Sequence, residues 1–296
     1  VPITDMLVKG DDLVAATQGR GYWILDDLGM LRQLGEAGDG DAPLLYAPDD
    51  SYRLIAGGRA EDAGNAGTNP YPGVSIYYHL PEALAGTQDL ELSVYRAGSD
   101  EAIWTWTAEP AEGEEAADDD ASDVDTRVLS TKAGLNRHVW NLEYPGMSRF
   151  EGLVLWADMK EGPQAVPGDY EVRMNVGDTQ RTANFRVLID PRATATQEHY
   201  EAQFAFVSEA RDLLTRTHDE ISRIRELRTE LEAVRERIDA AGDEDDGLLA
   251  EIEAIDEAMT AVEEALYQTK NESRQDPLNY PIRLNNKLTA LMRLVA

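Results

Sequence analysis

The sequence predicts a multidomain α+β protein in which a short β-hairpin, a β-sandwich and an antiparallel helical bundle follow one another. Three observations predict it. Two short runs of β-formers around a glycine-bearing link open the chain, and seven further runs separated by turn signals fill residues 48–191. From residue 192 onward the apolar residues recur at three- and four-residue steps instead. The expected domains are 1–47, 48–191 and 192–296, and 296 residues suffice for two or three modest cores.

The hairpin is carried by Asp11–Thr17 and Gly21–Leu28, joined through Gln18–Gly21. Trp23, Ile24 and Leu25 stand in succession, so both faces of this ribbon call for burial. A two-stranded ribbon is marginal alone in water, and it is expected to lie against the β-sandwich or a neighbouring molecule. Asp26 and Asp27 end the strand and start a turn into "LGMLRQL", and Gly35–Pro43 reads as an exposed loop.

In the second region the strands expected are Val74–Leu80, Leu90–Arg96, Ala102–Ala108, Thr126–Thr131, Leu135–Tyr144, Asp169–Val176 and Arg181–Asp190. Tyr170, Val172, Met174 and Val176 alternate with Glu171, Arg173 and Asn175, which assigns one face to a core. Val176–Gln180 is the tight turn between the last two strands. Seven such strands point to an immunoglobulin-like or fibronectin-like sandwich, interrupted by an acidic loop at 109–125. Beyond it, Tyr200 to Ile238 and Leu248 to Leu266 carry narrow apolar stripes, linked by Ala240–Gly247, and predict two antiparallel helices. A third helix follows Gln275–Pro281, with Leu284, Leu288, Leu291 and Val295 on its apolar face.

The net charge of −30, from 57 acidic against 27 basic side chains, argues against nucleic acid and anionic membranes as partners. Only five of those cations are lysines. Such a surface suits high salt, where repulsion is screened, and suggests a marine or halophilic source. No cysteine is present, which removes thiol nucleophiles and Cys-ligated metals. No apolar run approaches the roughly 20 residues of a membrane-spanning helix. The first residues lack the pattern of a signal peptide, so any export signal would lie upstream.

The stretch "ATQGRGYWILDDLGMLRQL" (Ala15–Leu34) resembles the closing blade of bacterial BNR-repeat β-propellers of the "glycosyl hydrolase" type, relatives of the sortilin and xyloglucanase propellers. Gly134–Met147, Pro167–Val176 and above all Glu264–Leu291 look like the C-terminal part of the same family. The middle region is also similar to the Ig-like module of flagellar hook-cap proteins. The BNR resemblance implies an exported, periplasmic or extracellular protein whose N-terminal propeller lies outside this chain. It implies a blade remnant, an Ig-like domain and a helical region that act without catalysis of their own. They would brace the propeller or mediate association, including pairing of two copies through the helices. The parent protein would be the candidate glycoside hydrolase.

Glycoside hydrolysis needs paired carboxylates about 5–10 Å apart. Asp26 and Asp27 are adjacent on a strand and point to opposite faces, so they do not form such a pair, and no catalytic residue is expected here. "TQGRGYW" keeps the Thr, Gly and Trp of the family's Asp-box but lacks its Asp. Trp104 and Trp106 share one strand face and are the candidate carbohydrate-binding residues of an alternative reading, a sugar- or protein-binding module. The competing reading places them in the sandwich core. Asp118, Asp120, Asp123 and Asp125 are candidate Ca²⁺ ligands, without the glycine and terminal Glu of an EF-hand. His79, His138, His199 and His218 make no i, i+4 pair, and His218 falls on the apolar stripe of the long helix as a partnered core residue.

Overall fold

The computed structural model describes residues 1–37, 42–54, 72–87, 89–108, 128–156, 162–241 and 246–295. The protein is mixed α+β, with three sheets and four α-helices among these residues, and it divides into two compact units. The first comprises 1–143 and 165–200, the second 144–164 and 201–296.

The first unit opens on three antiparallel strands, β1 (Ile3–Lys9), β2 (Asp12–Thr17) and β3 (Tyr22–Leu25), ordered β1-β2-β3. The expected hairpin is β2–β3. β1 is an addition to it, hidden in the sequence because Asp5 breaks the apolar run at a register shift between Ile3 and Asp5. Next comes a helix, α1 (Leu28–Ala37), where the sequence suggested only a turn. Its first turn holds Gly29 and no acidic side chain, and Asp27 before it, an N-cap residue type, takes a left-handed φ of 60° and receives the Tyr77 hydroxyl on its carboxylate.

Two sheets complete this unit. One is ordered β5 (Ser51–Arg53), β11 (Thr179–Ile189), β10 (Gly168–Val176), β7 (Leu90–Arg96) and β8 (Ala102–Thr107). The other is ordered β4 (Leu44–Leu45), β6 (Val74–Leu80) and β9 (Gly134–Trp140). The predicted alternation holds: Tyr170, Val172, Met174 and Val176 are buried on β10, as are Val74, Ile76, Tyr78 and Leu80 on β6. The inner faces of the two sheets meet through aromatic contacts. Trp140 on β9 lies 5.4 Å from Tyr170 and 6.2 Å from Phe185, centroid to centroid. Its indole N–H, fully buried, donates to the Glu143 carbonyl at 3.0 Å. Around Leu129, where the sequence suggested a strand, the described residues form none. Backbone bonds from Leu129 N–H to the Thr107 carbonyl (2.9 Å) and from Gly86 N–H to the Thr131 carbonyl (2.8 Å) hold the chain there.

The second unit is helical, with α2 (Gln197–Ala241) entering it at Glu201, α3 (Asp246–Leu266) and α4 (Leu284–Val295). α2 and α3 run in opposite directions: Arg225 pairs with Glu263, and Arg228, one turn on, pairs with Asp256. Residues 144–164, read in the sequence with the β domain, group with the helices instead. Met147 and Leu155 pack with Val207, Ala210, Leu214 and Met292, while Phe150 packs with Ile221 and Tyr267. Their apolar side chains are spaced irregularly, so neither helix nor strand period betrays them, and they bury against α2, Met292 of α4 and Tyr267 just past α3. Among the described residues no helix is long and apolar enough to cross a membrane.

Candidate interaction surface

The strand registers of the N-terminal sheet define two faces. Met6, Ala15 and Trp23 form one row of the first face, and Val8, Leu13 and Leu25 the next. On the opposite face lie the rows Leu7–Val14–Ile24 and Asp5–Ala16–Tyr22. The first face is apolar in both rows, the second in its middle row, where Leu7, Val14 and Ile24 stand between Asp5 and the charged row of Lys9 and Asp12, and both faces are open. Met6, Leu7, Tyr22, Trp23 and Ile24 are each 60% exposed or more, and Leu25 50%. The sequence required a packing partner for both faces of this ribbon. Among the described residues the chain does not supply one, and the sheet does not lie flat on the neighbouring β layers. Its hairpin link is nonetheless well made. Gly19 and Gly21 adopt φ of 90° and 65°, which side chains resist, and Thr17 binds the Gly21 carbonyl through both N–H (3.0 Å) and hydroxyl (2.8 Å).

What fixes the sheet to its unit is the joint at its lower end. Asp27 takes a left-handed φ of 60°, and its carboxylate accepts the Tyr77 hydroxyl of β6 at 2.7 Å. Leu28 N–H reaches the Asp11 carbonyl at 2.8 Å, and Arg32 pairs with the Asp11 carboxylate at 2.6 Å. Gln33 grips Ala47 with both amide atoms, accepting from its N–H (2.8 Å) and donating to its carbonyl (2.9 Å). The Asp49 carboxylate occupies the space a side chain at Gly29 would need. Burial, reinforced by the hydrogen bond to Asp27, pushes the Tyr77 hydroxyl up to about 12.

The joint is crowded with negative charge. Burial, then Asp11 and Asp27, raise the Asp49 carboxyl above its ordinary range, and Arg32 only partly offsets them. A carboxyl raised on folding binds protons more tightly in the native state, so its ionisation opposes folding at neutral pH. That penalty fades as pH falls through the raised native value towards the ordinary one near 3.9. Asp49→Asn should accordingly stabilise the first unit at pH 7 and leave it unchanged at pH 3.5. Urea titrations at both pH values check this, and a gain of equal size at both would rule the charge effect out.

The other candidates are placed as follows. Trp106 is 8% exposed, against His138 at 4.4 Å, and Trp104 is half-buried with its indole N–H on the Glu143 carbonyl at 2.7 Å. Their rings stack at 6.1 Å and 17° to each other, so the pair does not present two open ring faces. Asp118, Asp120, Asp123 and Asp125 lie outside the described residues, and the Ca²⁺ expectation lies there with them. Among the described residues no group of three acidic or histidine side chains could hold a metal. His218 is fully buried, its Nδ1 2.6 Å from the Ser148 carbonyl and its ring 5.2 Å from Phe150, a core residue as its place on the stripe implied. The sequence had singled out Trp23, Ile24 and Leu25. Tyr22, Met6, Leu7 and Val8 join them only through the strand pairing. Neither family models, nor curated proteins, nor solved structures match the chain.

Proposed function

We propose that the chain is the non-catalytic accessory region of a longer, exported propeller protein of BNR type, and that it docks on that propeller through β1–β3. In this reading the two facing sheets form an immunoglobulin-like sandwich and the helices a bundle of their own, both of them bracing the propeller. The observation that carries the reading is the three-stranded sheet with exposed apolar rows on both faces, Met6–Ala15–Trp23 and Val8–Leu13–Leu25 on one and Leu7–Val14–Ile24 on the other. A surface hairpin alternates apolar and polar residues, and a sandwich sheet is apolar on one side only. A sheet apolar on both sides requires a neighbour on each, which is the situation of a blade stacked radially between others. Ile3, Met6, Leu7, Val8, Tyr22, Trp23, Ile24 and Leu25 are all half or more exposed. Burying them contributes about 1 kcal/mol each before the cost of association.

The test is hydrogen exchange on this chain and on a longer one extended upstream through the encoded propeller. Amides of β1–β3 should exchange far more slowly in the longer chain, and Trp23 emission should shift to the blue. Equal exchange in both, or an upstream sequence without propeller repeats, would refute the reading.

A further inference from the structure

The two edges of the N-terminal sheet are not alike. β1 carries the register shift at Ile3/Asp5 and the charged Asp5 and Lys9, the features that blunt an edge against pairing. β3 reads Tyr-Trp-Ile-Leu, with no charge, no proline and no register shift. The phase of its hydrogen bonds follows from the link. Thr17 N–H bonds the Gly21 carbonyl, so Thr17 and Gly21 form a bonded pair. Bonded and non-bonded pairs alternate along an antiparallel ladder. Ala15·Trp23 and Leu13·Leu25 are then bonded, whereas Ala16·Tyr22 and Val14·Ile24 are not. The N–H and C=O of Tyr22 and Ile24 therefore point away from β2, at the side of the terminal strand that no strand among the described residues pairs with.

Charge marks one end of that edge. Lys9 stands opposite Asp12, and one step beyond Leu13↔Leu25 the register sets Asp26 beside Asp12. Two like charges side by side in a sheet row are unfavourable. The Asp26 carboxyl feels this, raised by burial and then by Asp12 and Asp27. Among the described residues no cation stands on the outer side of the row Lys9–Asp12–Asp26.

We infer that the free edge of β3 accepts an extended strand, apolar on both faces opposite Tyr22 to Leu25 and carrying Lys or Arg opposite Asp26. This rests on the reading that the sheet is a docking surface, and adds which edge is used and what sequence it selects. Faces open on both sides demand an incoming strand without polar alternation, and the Asp26 end fixes its register.

The probe is a fluorescein-labelled hexapeptide, acetyl-Lys-Val-Tyr-Val-Val-Thr-amide, with the same residues in reverse order and with Glu in place of Lys in each. Anisotropy should show one Lys peptide binding about threefold tighter than its Glu counterpart, the scale of one cross-strand charge pair. Asp26→Lys should reverse that preference. Ile24→Pro should abolish binding, because it removes an outward N–H while leaving the β2–β3 ladder whole. Amide exchange in β1–β2 confirms that this variant keeps its sheet. Absence of binding by either Lys peptide, binding undiminished in Ile24→Pro, or no reversal in Asp26→Lys overturns the inference. The same Ile24→Pro change in the longer chain separates the two ideas. Protection of β1–β3 that persists there sinks the edge and leaves the docking reading standing, whereas protection absent even without the substitution sinks the docking reading itself.

Discussion

Gly73→Ala is expected to lower the stability of the first unit by about 3 kcal/mol or more, among the largest effects of any single methyl group in the chain. Two causes act together. Gly73 adopts φ of 121°, a conformation that L side chains rarely take. An added Cβ would also collide with the Trp140 carbonyl oxygen and lie 3.0 Å from Asn141 Cα. These are backbone atoms of β9 and the residue after it, so no side-chain rotation relieves the contact. The position is critical because β6 begins at the next residue, with Val74 paired to Trp140. Trp140 is fully buried and joins the two sheets through Tyr170 and Phe185, so displacing it loosens both. Thermal unfolding should show a midpoint about 6–12 °C lower. Gly177→Asn is the control. Its φ of 52° suits asparagine, nothing lies within 4 Å of the added Cβ, and its cost should stay below about 1 kcal/mol. Equal losses from the two variants would refute the close-approach argument.

The contrast between elements shows what local sequence can carry. β10 and β6 were legible because one face of each meets a core, and the period of two records it directly. The long stripe from Tyr200 to Ile238 announced α2 for the same reason at a period of 3.6. α1 was not legible: its glycine at the start weakens the helix locally, and Gln33 clasping Ala47 supports it from a distant part of the chain. The same holds for Met147, Phe150 and Leu155, which take their place from the helices they pack on rather than from their own pattern. The candidate surface was half legible. Trp23, Ile24 and Leu25 in succession signalled a ribbon meant for burial on both faces, yet the identity of β1 as third strand, and the unequal edges, exist only once Met6, Leu7 and Val8 are in register with Ala15, Val14 and Leu13. Trp104 and Trp106 illustrate the opposite limit. Two aromatic residues on one strand face read alike as platform or core, because the alternation says which face they share and not what covers it.

In the second unit the double substitution Arg225→Leu with Arg228→Leu is expected to cost about 3–5 kcal/mol. Glu263 on α3 is 4% exposed, and its two oxygens are held by Arg225 Nε and Arg228 Nη1, each at 2.9 Å. Arg228 also reaches Asp256 (2.7 Å) and Thr260 (3.1 Å), while Arg225 donates to the Glu151 carbonyl (2.9 Å) and lies over the Phe150 ring at 4.6 Å. One cluster thereby ties α2, α3 and the 144–164 segment together. Removing both arginines strands a buried carboxylate without a counter-charge, which is far worse than removing the whole cluster. The triple variant that adds Glu263→Leu should therefore regain most of the loss, since an apolar trio of similar volume has no charge to desolvate. Urea unfolding of the helical transition measures both. A triple variant no more stable than the double would mean that the arginines act by packing on Phe150 and Tyr267 rather than by holding Glu263.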